Sequence, residues 1–236
     1  DYMLSVWLYI TLGIYQTEMN VARNAIAILL CYNALTYVKH GRFWRYTAVV
    51  LLAASFHKST LLFIPLYFVL RRGISSRRSP LRLMLYSVLL GLLSLQGVSL
   101  VRRLMPGLAS RYLKASTSLE AIIVGAFYAL LVIFVWLTLK GTERENARKN
   151  VSMGWWFLLL NLFSFAINIQ IKYAARLAAL FGPYMIVFVP QLLHQMEGKR
   201  RYRQTKALVV LGCGVQYILR MMINNIGGTM PYRFFW

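Results

Sequence analysis

Acidic residues are scarce in this chain of 236 residues: six Asp and Glu stand against 27 Lys and Arg, which gives a formal net charge of +21. Charged residues of either sign make up only 14% of the sequence, whereas 59% is hydrophobic. This composition excludes an ordinary water-soluble domain built around one core. It predicts an integral membrane protein, whose basic residues contact anionic lipid head groups or phosphates and not nucleic acid.

Hydrophobic runs recur along the whole sequence. A helix needs about 20 predominantly apolar residues to cross the hydrocarbon core of a membrane, and several runs approach that length. The runs lie near 2–15, 21–38, 46–56, 60–70, 83–100, 120–139, 153–171, 177–193 and 205–224. We predict an all-α, polytopic transmembrane protein of about eight to nine membrane helices in one domain over 1–236. Since the first run is short and lacks an initiator Met, we expect the C-terminal part of a longer chain.

The apolar block from Tyr46 to Leu70 has basic residues at both ends. The flanking residues are Lys39, Arg42 and Arg45 before it and Arg71, Arg72, Arg77, Arg78 and Arg82 after it. Because basic loops prefer the cytoplasmic side, one straight helix would put one of these clusters on the wrong side. We therefore predict a broken helix pair at 46–70 that reverses around His57. This turn would lie in the outer half of the membrane, where polar groups are costly and usually functional.

Alternating the loops from this turn assigns 39–45, 71–82, 140–149 and 194–206 to the cytoplasm. These loops hold 17 of the 27 Lys and Arg residues, which supports the orientation. The basic residues left for the outer side are Arg23, Lys58, Arg102, Arg103, Arg111, Lys114, Lys172, Arg176, Arg220 and Arg233. Any one of them could extend to the lipid interface. As a set they indicate a surface that holds an anion.

Few acids or cysteines are available for a metal site. Only Glu18 and Glu120 are expected on the outer side, and a hard divalent cation needs several converging oxygen ligands. Cys31 and Cys213 each lie in an apolar run, so they predict neither a disulfide framework nor a metal site. We therefore expect metal-independent chemistry without a cofactor.

Four short segments, taken in order, carry a resemblance to a known family. They are Asn20–Ala27, with Arg23 at a helix start; Ala53–Ser59, with Phe-His-x-Ser between two apolar runs; Arg176–Phe181, leading to Pro190; and Pro231–Trp236. Together they resemble the EpsG family of exopolysaccharide polymerases, which are related to the Wzy-type polymerases. The likeness covers nearly the whole chain. It departs from the family in lacking further upstream spans and in placing Lys58 beside the motif histidine.

The resemblance implies a glycosyltransferase of the bacterial cytoplasmic membrane. Such an enzyme joins oligosaccharide repeat units, carried on a polyprenyl diphosphate such as undecaprenyl diphosphate, at the outer membrane face. Its expected partners are this lipid-linked oligosaccharide, membrane lipid and other polysaccharide-assembly proteins. A transporter or flippase, or a ligase acting on the same lipid, would need a similar outward basic cavity, and a purely structural subunit is a further alternative. Against a transporter, the sequence shows one clear hinge and no convincing internal repeat.

Three residues are the catalytic candidates. Arg23 and Arg176 could stabilise the diphosphate leaving group, because guanidinium groups make planar, bidentate and permanently charged contacts to phosphate. His57 could accept the proton of the attacking sugar hydroxyl. Alternatively, the His57 ring could bond a free carbonyl at the turn. Glu18 is a rival base, and it could equally pair with Arg23.

Further residues are expected to bind or position substrate. They are Glu18, Lys58, Ser59, Lys172, Arg220, Tyr232 and Arg233. In the seventh run a polar stripe of Asn161, Ser164, Asn168 and Lys172 follows helical spacing. The stripe could line a groove for sugar hydroxyls, although polar packing between helices explains it slightly better.

Overall fold

The computed structural model describes residues 1–75, 103–104, 119–139, 145–168, 175–198 and 201–224. Within these ranges the regular structure is entirely helical and contains no strand, which confirms the all-α prediction. The predicted run at 83–100 lies outside the described residues. The α-helices are α1 (Tyr2–Thr11), α2 (Ile14–Asn20), α3 (Ala22–Lys39), α4 (Phe43–Phe56), α5 (Phe63–Ser75), α6 (Leu119–Leu139), α7 (Glu145–Asn168), α8 (Ala175–Phe181), α9 (Met185–His194) and α10 (Tyr202–Asn224).

Helices α4 and α5 fold back on each other, as the charge pattern predicted. The rings of Phe43 and Tyr67 lie 5.0 Å apart, whereas one continuous helix would separate these residues by roughly 36 Å. The hydroxyl of Tyr46 also donates to the carbonyl of Phe63 at 2.7 Å. The reversal begins at His57, whose backbone is extended (φ −150°, ψ 113°), and continues through a 3-10 turn, Lys58–Leu62.

The basic flanks of this hairpin meet at one end. Arg71 donates from Nη1 to the carbonyl of Lys39 at 2.9 Å and to that of Val38 at 3.2 Å, so it caps the end of α3. Gly41, with φ of 72°, turns the chain from α3 into α4 in the left-handed conformation that glycine adopts readily. The expectation that both basic flanks lie on the same side is confirmed for Lys39 and Arg71. The other flanking residues Arg77, Arg78 and Arg82 lie outside the described residues.

Two predicted continuous runs are broken, so the expectation of a single hinge is wrong. The run at 2–15 ends at Leu12 and restarts after Gly13, whose φ is 72°. The run at 177–193 is interrupted by a 3-10 turn, Gly182–Tyr184, where Pro183 lacks a backbone N–H. The hydropathy pattern predicts neither helix break, because both breaks consist of apolar or small residues. The predicted loop at 140–149 is also too long, since α7 begins at Glu145.

Tyr32 of α3 ties the second break into the core. Its hydroxyl donates to the carbonyl of Leu180 at 2.7 Å and accepts from the backbone N–H of Tyr184 at 3.2 Å. Its ring meets the rings of Phe157 and Phe63 at 5.6 and 6.2 Å. One partly buried side chain therefore satisfies a backbone donor and a backbone acceptor around the break.

Two segments of the described residues are long and apolar enough to cross a membrane. They are Leu177–His194, with a mean hydropathy of 1.5, and Tyr202–Met222, with a mean hydropathy of 1.2. The second segment exposes a row of large apolar side chains, among them Leu208, Leu211 and Val215. The predicted total of eight to nine membrane helices stays a prediction.

Candidate functional site

A cavity of about 250 Å³ lies where helices from both halves of the chain converge. The α1–α2 break, α2, α3, α6, α7, the break at Gly182–Pro183 and α10 all contribute to its wall. Its polar lining residues are Thr17, Glu18, Asn24, Tyr128, Asn161, Asn168 and Arg220. Concave sites with a few converging polar groups in an apolar surround are the usual form of a small-molecule site.

The break after α1 positions two charged groups of this wall. The guanidinium of Arg220 reaches across from α10 and donates from Nη1 to the carbonyl of Leu12 at 2.9 Å. A cation is favoured there, because the free carbonyls at the end of a helix carry partial negative charge. Glu18 in α2 accepts a hydrogen bond from the Tyr9 hydroxyl at 2.7 Å. The broken helix therefore holds one guanidinium and one carboxylate at the same cavity.

Two buried amides face the cavity with hydrogen-bonding capacity to spare. Asn161 is 0% exposed; its amide N–H interacts with the Tyr128 hydroxyl, and its Oδ1 has no partner among the described residues. Asn24 is 7% exposed, and its Oδ1 also lacks a partner there. Leaving such a buried group unsatisfied costs about 1–3 kcal/mol. The arrangement is suited to a polar ligand that supplies the missing donors and acceptors.

The polar stripe of α7 divides between two roles. Asn161 and Asn168 line the cavity, whereas the Ser164 hydroxyl donates to the carbonyl of Leu160 in its own helix at 2.7 Å. Packing between helices, the interpretation favoured from sequence, still describes Asn161 in part, because its amide interacts with the Tyr128 hydroxyl of α6. Lys172, the last member of the stripe, lies outside the described residues.

His57 lies at the hairpin turn and is half-buried, but it does not line the cavity. Its carbonyl accepts from the Thr60 hydroxyl at 2.8 Å and from the Thr60 backbone N–H at 3.2 Å. Its ring shows no hydrogen bond to the residues that the structure describes. Thr60 therefore donates the hydrogen bonds to the free carbonyl at the turn. The sequence also allows this role for the His57 ring, as an alternative to catalysis. Beside it, Lys58 is exposed, and the Ser59 hydroxyl is buried without a described partner.

Arg23 and Arg176, the two arginines predicted to hold the diphosphate, lie in the first turns of two different helices. Arg23 is exposed in the first turn of α3, next to Asn24. It forms no ion pair with Glu18 in the described part of the chain, where Glu18 bonds Tyr9 instead. Arg176 stands in the first turn of α8, the helix that contributes Ala178 to the cavity wall, but its side chain lies outside the described residues. Tyr232 and Arg233 also lie outside them.

The cavity and the basic loops lie at opposite ends of the helices that connect them. Helix α3 has Asn24 in the cavity near its start and Lys39 at its end. Helix α10 begins near Lys206, which pairs with Asp1, and reaches the cavity at Arg220. Each connecting helix therefore separates the cavity from the predicted cytoplasmic end by most of its length.

Sequence reasoning missed Asn24, Thr17 and Tyr128 as lining residues. Asn24 and Tyr128 lie in apolar runs and Thr17 lies between Gln16 and Glu18, so none of them gives a periodic signal. For Asn24 a signal was available, because a buried amide in an apolar helix is costly without a partner. Glu18 and Arg220 were predicted substrate-binding residues, and the structure brings both to the cavity.

The sequence model of the EpsG family matches residues 1–234, almost the entire chain. No curated protein and no solved structure matches the sequence of this chain. The fold and the match together define a helical membrane protein of the exopolysaccharide polymerase type. The chain belongs to the EpsG family.

Proposed function

We propose that this protein joins oligosaccharide repeat units carried on a polyprenyl diphosphate, at the outer face of the cytoplasmic membrane. The observation that carries the proposal is the cavity, where buried amides with unpartnered oxygens, a carboxylate and a guanidinium converge in a member of the EpsG family. Its position opposite the basic loops supports an outward-facing site, because basic loops prefer the cytoplasm. Multiple membrane crossings are part of this proposal.

The proposed reaction is a direct displacement at an anomeric carbon. A hydroxyl oxygen of one lipid-linked unit forms the new bond to the anomeric carbon of the other unit. The bond from that carbon to the diphosphate oxygen breaks, and its electron pair leaves with the polyprenyl diphosphate. A base takes the hydroxyl proton, and arginines stabilise the charge of the leaving group. Attack from the side opposite the leaving group inverts the anomeric centre.

His57 and Glu18 are the two candidate bases, and Arg23 and Arg176 are the candidate diphosphate ligands. The family motif favours His57. The structure favours Glu18 by position, because its carboxylate borders the cavity and His57 does not. Lys58, Ser59, Lys172, Arg220, Tyr232 and Arg233 are proposed to position the substrate. A base is expected within hydrogen-bond reach of the hydroxyl that it activates, directly or through one water.

Complementation of a polymer-deficient strain tests the proposal. His57→Ala, Arg23→Ala, Arg176→Ala and Glu18→Gln are compared with His40→Ala and Arg42→Ala, which change exposed residues at the opposite end. The expected result is loss of polymer and accumulation of single lipid-linked units, with normal protein levels, for both arginine variants and for one base variant. Normal chain lengths in all four site variants would refute the proposed site.

Thiol labelling of intact cells tests the orientation of the hairpin. The native thiols Cys31 and Cys213 are buried, so they should give little background. Lys58→Cys is expected to react with a membrane-impermeant reagent added outside, and Ser75→Cys only after the cells are opened. Reaction of both cysteines from the same side contradicts the proposed topology.

Transport of the same lipid-linked oligosaccharide is a second candidate function. Helix breaks at Leu12–Gly13 and at Gly182–Pro183 border the cavity, and broken helices of this kind form substrate sites in many transporters. The two functions differ in where substrate accumulates. Loss of a transporter leaves repeat units on the inner membrane face, and loss of a polymerase leaves single units on the outer face. Loss of a ligase instead leaves long chains attached to lipid.

A further inference from the structure

We propose that the cavity is a subsite for one uncharged sugar ring, and that Asn24 and Asn161 select this ring by hydrogen bonds to its hydroxyl or acetamido groups. The inference rests on the proposed function, because it places one part of the lipid-linked oligosaccharide in the cavity. It extends that function by separating the residues that recognise the sugar from those that hold the diphosphate.

The amides carry the first step of the argument. Asn161 is 0% exposed, and although its amide N–H interacts with the Tyr128 hydroxyl, its Oδ1 lacks a partner among the described residues. Asn24 presents an unpartnered Oδ1 from a different helix. An amide offers donors and an acceptor together, and a sugar hydroxyl also donates and accepts. Because both asparagines line the same cavity, we infer that they bond hydroxyl groups of one ring.

The charges in the wall disfavour a diphosphate at this position. Glu18 brings a carboxylate to the cavity, and like charges at close range repel. The guanidinium of Arg220 donates to the Leu12 carbonyl, so it is already engaged. A diphosphate is expected to bind where several cationic donors converge. A neutral hydroxylated ring matches the amides and the carboxylate better.

The volume of the cavity matches about one sugar ring. Its volume of about 250 Å³ lies below the roughly 300–1,000 Å³ of pockets that enclose drug-sized molecules. Ile28, Phe165 and Pro183 supply apolar surface in the same wall, against which the C–H faces of a sugar can pack. The rest of a repeat unit must then extend beyond the cavity.

A substitution at Gly182 can fill part of the cavity without removing either asparagine amide. A methyl group added at Gly182 would lie 3.6 Å from Asn161 Nδ2 and 3.9 Å from the Tyr128 hydroxyl, which are ordinary contact distances. Gly182→Ala should therefore fold and obstruct the ring. Gly212→Ala is the matched control, because a methyl group there meets no atom within 4 Å.

Binding to the purified full chain in detergent tests the proposal directly. Saturation-transfer NMR is recorded with glucose, galactose, N-acetylglucosamine and inorganic pyrophosphate. At least one sugar is expected to bind the original protein and Gly212→Ala, and to bind Gly182→Ala and Asn161→Leu about tenfold more weakly or not at all. Pyrophosphate should not compete with that sugar. Absence of sugar binding, equal binding by both cavity variants, or competition by pyrophosphate overturns the subsite.

Polymer assays separate this inference from the proposed function. If the original chain restores polymer and Gly182→Ala restores it equally well, the subsite is refuted while the polymerase proposal stands. If sugar binding depends on Asn161 and Gly182 but cells lacking the chain still lengthen their polymer, the polymerase proposal is refuted while the subsite stands.

Discussion

Replacing Gly13 by alanine should weaken the protein more than the same replacement at the other glycines with positive φ. Gly13, Gly41 and Gly198 have φ of 72°, 72° and 83°, respectively. An alanine in this left-handed region costs about 1–2 kcal/mol. At Gly198 an added methyl group meets no atom within 4 Å, so this conformational cost is the whole expected effect.

The surroundings of the three glycines set the order of the effect. At Gly41 the methyl group would lie 3.1 Å from Arg71 Nη2, which needs only a small shift of a flexible side chain. At Gly13 it would lie 2.5 Å from Arg220 Nη1, so the guanidinium must move away. That movement breaks its bond to the Leu12 carbonyl, and a hydrogen bond to a charged group contributes about 1.5–3 kcal/mol. We expect a total loss of about 3 kcal/mol for Gly13→Ala.

Unfolding of each purified variant in detergent measures these differences, and polymer length in complemented cells measures their functional effect. Gly13→Ala should also shorten the polymer, because Arg220 borders the cavity. Gly41→Ala should leave polymer length unchanged, because Gly41 lies at the opposite end. In an Arg220→Ala background, Gly13→Ala should lower the free energy of unfolding only by the cost of placing alanine in the left-handed conformation, because the hydrogen bond of Arg220 is already absent. Equal destabilisation by Gly13→Ala and Gly198→Ala would refute the role given to Arg220.

Other predictions concern packing and chemistry. Tyr46→Phe leaves the buried carbonyl of Phe63 without the hydroxyl that bonds it at 2.7 Å, so unfolding should show a loss of about 1–3 kcal/mol; unchanged stability contradicts the hairpin contact. Gly154→Ala should cost about 1–3 kcal/mol in the same assay, because the added methyl group would overlap the ring of Phe188. Polymer formation by the purified protein is expected to continue in EDTA, and its arrest would contradict metal-independent chemistry.

The hairpin was predictable because its signal is electrostatic and long-range. Basic residues at both ends of one apolar block impose a reversal whatever the local propensities are. The observed contacts of Arg71 with the end of α3 and of Phe43 with Tyr67 follow from that constraint. The family was also predictable, because its short motifs keep their order along the chain.

The cavity was less predictable, because it depends on two breaks and on packing between distant segments. Gly13 and the Gly182-Pro183 pair are turn signals, but they lie inside apolar runs that hydropathy reads as continuous. Asn24 and Asn161 come from helices far apart in sequence, and only their packing brings both to one cavity. Charge therefore identified Glu18 and Arg220, helical spacing indicated Asn161, and Asn24 was missed.

The double hydrogen bond of Tyr32 has a mechanical consequence for the wall around Gly182. A chain that bends inside an apolar interior normally admits water to its freed backbone groups or finds protein partners for them. Here one phenol supplies both partners, to Leu180 and to Tyr184. The bend can therefore exclude water and remain rigid. This rigidity allows the neighbouring cavity to keep its shape when no ligand is bound.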